Sequence, residues 1–433
     1  MKKILYITYY WPPSGGAGVQ RSLKFVKYLR EFGIDASVLT VEAEKASYPI
    51  YDVTLSGEIS PDIKVFHADS FEPLKLFLKI SGKKKIPYGG FSSSGKESVF
   101  EKLFRFIRGN FFIPDARRGW VGYAVKSAME IIGEEKIDTI IISSPPHSSQ
   151  LIGLKLKRHF PSIKWIADLR DPWSDIYYYK DLMHTIFSRK LDMKYERKVL
   201  LGCDAAVVVS EQIKRLLINK SEKIDGKKFK VIPNGFDTSD FSAGVEPVRD
   251  QFVITYVGTI ADNYDPEIFF SAVKLLKQEK SALDIRIHFV GSISNQVKNL
   301  IGKYSMQELV DLTAHVSHQE AIVFMQKASA LLLLIPSVKN DNGILTGKLF
   351  EYIGAGRPII AIGPADGDAA HILQEVKCGK MFGRSERNAL LEYLKVLVKS
   401  WENDYKFNFQ SSEKYIYSRK HQASELAELI NNL

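Results

Sequence analysis

Residues 343–363 read GILTGKLFEYIGAGRPIIAIG, a buried helix running into a strand, PIIAIG (358–363), and this helix-to-strand order sets the class of sheet. The helix opens with Thr346, Gly347 and Lys348 and carries one acid, Glu351, a turn inside. A buried carboxylate needs partners, so the site is wet or a polar group arrives to meet it.

Outward from this stretch the same alternation holds. Toward the N-terminus lie the strand-like runs VITYVG (253–258), IRIHFVG (285–291) and LLLLIP (331–336), with helix-period segments between them. Further back lie ILYITY (4–9), SVLTV (37–41), KVFHA (64–68), TIIISS (139–144), WIADL (165–169) and AAVVVS (205–210). Strands alternating with helices predict parallel sheets covered by helices. The series breaks at IPNGFD (232–237), which places a hinge near residue 235 and predicts two Rossmann-like domains, 1–235 and 236–410. Residues 411–433 form a closing helix whose Ala423, Leu426, Ala427, Ile430 and Leu433 share one face and need a surface to dock on.

The 433 residues are too many for one ordinary core. With 45% hydrophobic and 25% charged residues, the composition excludes disordered and fibrous classes. Lys and Arg number 60 against 50 Asp and Glu, a net +10 that favours anionic partners such as phosphates, nucleic acid or an acidic membrane surface. Cys203 and Cys378 are the two cysteines and lack metal-ligand spacing, so a reducing cytoplasm is expected. The start, MKKILYITYYWPP, reads as a first strand ended by Pro12 and Pro13 rather than a leader peptide. No run reaches the ~18 apolar residues of a membrane span. Residues 70–125, with LKLFLKISGKKK and FEKLFRFIRGNFFIPDARRGW, interleave basic and apolar residues. They read either as an interfacial amphipathic segment or as a cover helix with solvated lysines.

Open α/β sheets bind ligands at the carboxyl ends of their strands, where helix N-termini favour anions. Two loops fit. PPSGGAG (12–18) follows the first strand, and Gly15, Gly16 and Gly18 let the backbone approach an anion. A third glycine is missing for a dinucleotide fingerprint, so hydride chemistry loses support. The second loop is the opening stretch, G-x-x-x-G-K-L, one residue short of a P-loop and with Leu349 where a magnesium-holding Ser or Thr belongs. What remains is a helix mouth at Gly347 with the Lys348 ammonium beside it, suited to a diphosphate. Glu351 lies about 6 Å further along at 1.5 Å per residue, which suits a ribose; the alternative partner is Arg357 or a surface lysine. Asp366, Gly367 and Asp368 spell D-x-D but read as a helix cap, and no metal is expected.

YYWPPSGGAGVQR (9–21), VIPNGFD (231–237), YVGTI (256–260) and GKLFEYIGAGRPIIA (347–361) together resemble the family 4 retaining glycosyltransferases. The resemblance implies an α/β chain of GT-B fold, two Rossmann-like domains facing across a cleft. The sugar nucleotide would be held mainly by the second domain, and the closing helix would cross back to the first. It implies that Glu351 takes the ribose and that Gly16, with Gly15, lies near the phosphates and acceptor. Two departures stand out. The family's first glutamate falls at Gly343, so Asn342 or backbone groups must read the donor sugar. The basic pair after the first strand of the second domain is replaced by Gly258, Thr259, Ala261 and Asp262, which leaves Lys348, with Thr346 and Gly347, for the leaving phosphate.

In the first domain WIADLRDPW (165–173) stands where the family places a histidine. Asp171 is the expected acid orienting a sugar or acceptor hydroxyl, with Asp168 as the other candidate and Arg170 as phosphate clamp or structural partner. His147, in SSPPHSS (143–149), is either structural or part of the site. Asp171, Lys348 and Gly16 are thus the expected catalytic set.

The implied reaction is metal-independent, retaining transfer from a nucleoside diphosphate sugar such as a UDP-sugar to a glycan or lipid-linked acceptor, without further cofactor. It fits bacterial lipopolysaccharide or polysaccharide synthesis in the cytoplasm, with peripheral contact at the inner membrane face. A sugar-nucleotide epimerase of the same fold and a catalytically silent scaffold stay open. Nucleic acid is not expected, because no recognition module is present.

Overall fold

A computed structural model describes residues 1–72, 99–241, 245–403 and 412–433. The chain divides into two compact units, Met1–Pro233 with Arg419–Leu433, and Asn234–Ser418. The crossings therefore fall at Pro233/Asn234 and Ser418/Arg419. Residues 412–418 belong with the second unit, where Phe236 N–H donates to the Tyr417 carbonyl and the Tyr417 hydroxyl donates to Glu375 at 2.6 Å.

The first unit holds seven parallel strands: β1 (Lys2–Ile7), β2 (Ile34–Val41), β3 (Val65–Ala68), β4 (Thr139–Ser144), β5 (Lys164–Leu169), β6 (Ala205–Val208) and β7 (Phe229–Val231). Their order is β3-β2-β1-β4-β5-β6-β7. Ile140, Ile141 and Ile142 of β4 are all fully buried, as expected of a strand covered on both faces. The helix Ala17–Leu29 packs on one face through Val19, Leu23 and Val26. The closing helix Arg419–Asn431 lies against it, burying Ala423, Leu426, Ala427 and Ile430. Leu426 and Ile430 contribute about 1.5–3 kcal/mol each by that burial.

The second unit holds β8 (Phe252–Val257), β9 (Ile285–Val290), β10 (Val310–Thr313), β11 (Ala330–Leu334), β12 (Ile359–Ile362) and β13 (Gly379–Phe382) in the order β10-β9-β8-β11-β12-β13, all parallel. β7, β10 and β13 are additional to the strands read from sequence, and all three are sheet edges. FKV, VDLT and GKMF pair on one side only and need no continuous apolar run.

Strand order reverses between β1 and β4 in one sheet and between β8 and β11 in the other. These switch points leave a crevice at the carboxyl ends of the strands. The loops there are 8–16 and 145–149 in the first unit, and 258–266 and 335–346 in the second.

Of the basic and aromatic segment 70–125, LKLFLKISGKKK and the Gly/Ser-rich stretch lie outside the described residues. Its remainder forms the helix Val99–Phe111, a tight turn at Arg118–Trp120 and the start of the helix Val121–Glu135.

Candidate functional site

In the second unit the site is built at the start of the helix Gly347–Ala355. Thr346 holds the cap position in extended conformation, yet its side chain makes no capping bond and its buried Oγ1 has no partner among the described residues. Helices begin with orphan N–H groups, so the mouth is a concentrated set of donors. The Lys348 ammonium sits beside it and donates to the Tyr256 hydroxyl at 2.6 Å; Tyr256 in turn donates to the Thr259 carbonyl at 3.0 Å. Burial pushes the Lys348 pKa down to about 8, with Glu351 opposing.

Gly258, just past β8, explains why this lysine can be there. Its φ is +111°, and a Cβ would lie 2.5 Å from Lys348 Cε and 2.9 Å from Nζ. A larger residue would be strained and would displace the ammonium. Thr259 is exposed, and its contribution is the carbonyl that anchors Tyr256.

Glu351 is not deeply buried: 26% of its side chain is exposed. Its Oε1 lies 3.2 Å from Nε2 of His318, the first residue of the helix His318–Lys327. Arg357, the alternative partner expected from sequence, is instead bound to the carbonyls of Gln326 and Val245. His318 and Tyr256 are additions to the sequence-derived set. The capping box Ser317-x-x-Glu320 signals the helix start that carries His318; Tyr256 reads as an ordinary strand residue.

Asn342 lies in the tight turn Asp341–Gly343, which Arg384 fastens through Asp341 Oδ2 at 3.0 Å and the Ile335 carbonyl at 3.3 Å. Gly343 is buried. In the D-x-D stretch Gly367, not aspartate, occupies the cap position, and Asp368 sits in the first turn, where an acid complements the helix dipole.

In the first unit Gly16 is the cap of the helix Ala17–Leu29, with φ +101°. Gly15 donates its N–H to the Ile50 carbonyl at 2.9 Å, which removes that donor from any anion. Arg170 is nine-tenths buried: Nε reaches the Ser144 carbonyl at 3.1 Å and Nη2 the Pro145 carbonyl at 3.0 Å. Its Nη1 lies over Gly18, where a Cβ would approach to 2.0 Å. Arg170 is thus a structural clasp between the loop after β4 and the first helix, with one face toward the helix mouth.

Asp171 is half-buried and carries no hydrogen bond or ion pair among the described residues; burial raises its carboxyl pKa, with Arg170 opposing. His147 stacks on Trp173, ring centroids 4.8 Å apart, and its buried Nδ1 has no partner among the described residues. Burial lowers its pKa to about 4, so the imidazole is neutral near pH 7. Asp168 leaves the candidate set. It is 1% exposed and receives Arg21 Nε and Nη2 on one side and Ser143 Oγ at 2.8 Å on the other. At 1% exposure, with Arg21 and Ser143 on its oxygens, the carboxylate presents no open face to a ligand.

Two family profiles match consecutive parts of the chain: Glycosyltransferase Family 4 over residues 90–240 and Glycosyl transferases group 1 over residues 238–414. No curated protein matches by sequence. Among solved structures, sucrose-phosphate synthase from Thermosynechococcus elongatus is 14% identical with a TM-score of 0.62, over 100% of this chain and 99% of that one. Anabaena HepE in complex with UDP is 13% identical, TM-score 0.64, over the whole of both chains. The lipopolysaccharide outer core galactosyltransferase WaaB, in apo form, is 13% identical, TM-score 0.59, over 99% of each. With residues 90–414 matched by the two profiles and the two-sheet GT-B fold in place, the chain belongs to the family 4, group 1 glycosyltransferases.

Proposed function

We propose that the donor is a nucleoside diphosphate sugar, with UDP as the nucleotide, and that transfer to an acceptor hydroxyl retains the anomeric configuration and needs no metal. The observation carrying this reading is the start of the helix Gly347–Ala355. It presents backbone donors, a buried Thr346 Oγ1 without a partner among the described residues and the Lys348 ammonium, with the Glu351 carboxylate one turn along. That is the spacing of a diphosphate followed by a ribose. HepE, which is known with UDP and with UDP-glucose, supports the nucleotide.

In this reading Glu351 accepts hydrogen bonds from the ribose hydroxyls, and His318 fixes its orientation. The bond from the anomeric carbon to the phosphate oxygen breaks, the bond to the acceptor oxygen forms on the same face, and the acceptor proton passes to the leaving phosphate. Lys348 and the helix mouth stabilise the charge that develops there, which is the task a metal would otherwise perform. Asp171, half-buried and without a partner among the described residues, orients a sugar or acceptor hydroxyl. With Gly343 in place of an acid, the donor sugar is read by Asn342 and backbone groups. The acceptor is a lipid-linked or lipopolysaccharide glycan and the enzyme works in the cytoplasm of a bacterium, a reading supported by the likeness to the lipopolysaccharide galactosyltransferase WaaB.

The test is calorimetric titration and thermal shift with UDP, GDP and their sugars, followed by product analysis. UDP binding that survives EDTA, with hydrolysis or transfer of the sugar, is expected. Absence of nucleotide binding refutes the site. Isomerised donor without acceptor would mean an epimerase, and binding without turnover a scaffold.

A further inference from the structure

The turn Asp341–Gly343 is held from two directions. β11, β12 and β13 are neighbours in the second sheet, so the loops at their carboxyl ends meet. From the end of β13, Arg384 Nη2 bridges Asp341 Oδ2 at 3.0 Å and the Ile335 carbonyl, at the end of β11, at 3.3 Å. The two charged side chains are 30% and 18% exposed, partly shielded from the solvent that weakens surface pairs. From the end of β12, Gly367 packs against the same turn: a Cβ there would lie 3.0 Å from the Asn342 carbonyl oxygen and 3.3 Å from its Cα. Its backbone angles, φ −80° and ψ 163°, suit any residue, so the glycine supplies room rather than conformational freedom.

Just before the turn the chain reverses at Asn340, whose φ of +62° is left-handed, a conformation that asparagine accepts more readily than most residues. The Ile344 N–H then closes on the Asp341 carbonyl at 3.0 Å. Asn342, inside this closed turn, is half-buried, and its side chain makes no hydrogen bond among the described residues. A carboxamide offers both donors and an acceptor, so the direction in which it is held decides which hydroxyl geometry it accepts.

We propose that Arg384 and Gly367 are positioning residues for the donor sugar: they set the turn Asp341–Gly343 so that Asn342 and the turn's backbone distinguish one sugar epimer from another. The inference rests on the donor reading above. With the diphosphate at Gly347 and the ribose on Glu351, inside the helix, the sugar at the other end of the diphosphate meets the segment before the helix mouth, where this turn stands. Neither Arg384 nor Gly367 belongs to the cradle of Thr346 and Lys348 or to the pair Glu351–His318, so both act through the turn. Their positions on two separate loops let the turn be perturbed from either side. The D-x-D stretch enters the site in this way through its glycine, whose missing side chain leaves Asn342 its place.

The experiment is calorimetric titration of the full chain with UDP, UDP-glucose, UDP-galactose and the N-acetyl counterparts of the two sugars. The wild type should prefer one of these UDP-sugars over its C4 epimer by roughly tenfold or more. Arg384→Ala should cut that preference to less than about threefold, while UDP affinity stays at the wild-type value. Arg384→Lys keeps the charge opposite Asp341 but not the planar fork, and should retain part of the preference. Gly367→Ala should lower it in the same direction. Asn342→Ala should abolish it, and Arg384→Ala/Asn342→Ala should lose no more than Asn342→Ala alone. A merely structural brace would instead lower the melting temperature and the affinity for every ligand alike, and that result overturns the proposal. So does a wild type without epimer preference, a preference intact in both Arg384→Ala and Gly367→Ala, or loss of UDP affinity itself in Arg384→Ala. Absence of UDP binding in the wild type removes the donor site and this proposal with it, whereas intact UDP binding with unchanged preference overturns the positioning role alone.

Discussion

Replacing Lys348 by methionine tests the proposed donor site most directly, because burial of the ammonium gives the effect both a sign and a pH dependence. In the unliganded protein the ammonium is held in a partly desolvated pocket against Tyr256, which lowers its pKa to about 8. The folded state therefore binds fewer protons than the unfolded state between about pH 8 and the ordinary lysine value of 10.5. The cost of the buried cation is fully present below pH 8 and is relieved as pH rises through that window. Lys348→Met should accordingly leave the melting temperature at pH 7 unchanged or raise it. A diphosphate reverses the balance, since it favours the ammonium. A charge-assisted hydrogen bond contributes about 1.5–3 kcal/mol, so Lys348→Met should weaken UDP binding roughly 10- to 150-fold. At pH 8.5 wild-type binding should take up about 0.75 proton per UDP, read by calorimetry in two buffers of different ionisation heat, and affinity should decline above pH 8. The variant should show neither the uptake nor the decline. Wild-type binding without proton uptake, together with an unchanged affinity in Lys348→Met, would refute the cradle.

Glu351→Ala should weaken UDP binding about tenfold, whereas His318→Ala, which leaves the carboxylate in place, should change it less than about threefold; calorimetry showing equal losses would make the pair merely structural. Gly258→Ala places a Cβ 2.5 Å from Lys348 Cε at a φ of +111°. It should cost about 1–3 kcal/mol, seen as a lower melting temperature, and should lower UDP affinity along with it. Asp171→Asn should reduce turnover about 100-fold while the UDP dissociation constant stays put, and a matching loss of nucleotide binding would move the residue out of the acceptor role. Asp168→Ala leaves Arg21 charged and buried at 0% exposure, so unfolding of the first unit should become easier by about 3–5 kcal/mol, while Asp168 acting on substrate would instead show as lost turnover with normal stability.

The central strands were legible because β1, β4, β8, β11 and β12 are covered on both faces and so read as continuous apolar runs. The edge strands β7, β10 and β13 were not, since runs of three or four residues with mixed burial carry no period. Strand order is non-local in the same way. No property of ILYITY or TIIISS says that they lie side by side, yet that adjacency places Gly16 and His147 at one switch point.

The candidate residues divide along the same line. Gly258, Gly347 and Lys348 were readable because glycine and a helix-mouth lysine have local reasons to be where they are. Asp168, Arg170 and Asp171 were not separable within a single run of sequence, because what distinguishes them is the partner each one meets. Arg21, far upstream, takes Asp168 into the interior, two loop carbonyls take Arg170, and Asp171 alone keeps a carboxylate without a partner among the described residues.

The helix Ile186–Gly202 carries this furthest. Read as sequence, RKLDMKYERK places Asp192 and Glu196 within a turn of Arg189, Lys190 and Lys194, the pattern of a self-neutralised solvent face. Trp173, Tyr179, Ser174 and Lys220 draw both acids into the protein instead. Composition counts their charge, but a membrane or any other partner approaching from solvent meets the cations alone. The tertiary bonds that anchor loop 171–182 thus also set the charge of the outer surface, and substituting Asp192 or Glu196 should loosen the loop long before it alters what the exposed face attracts.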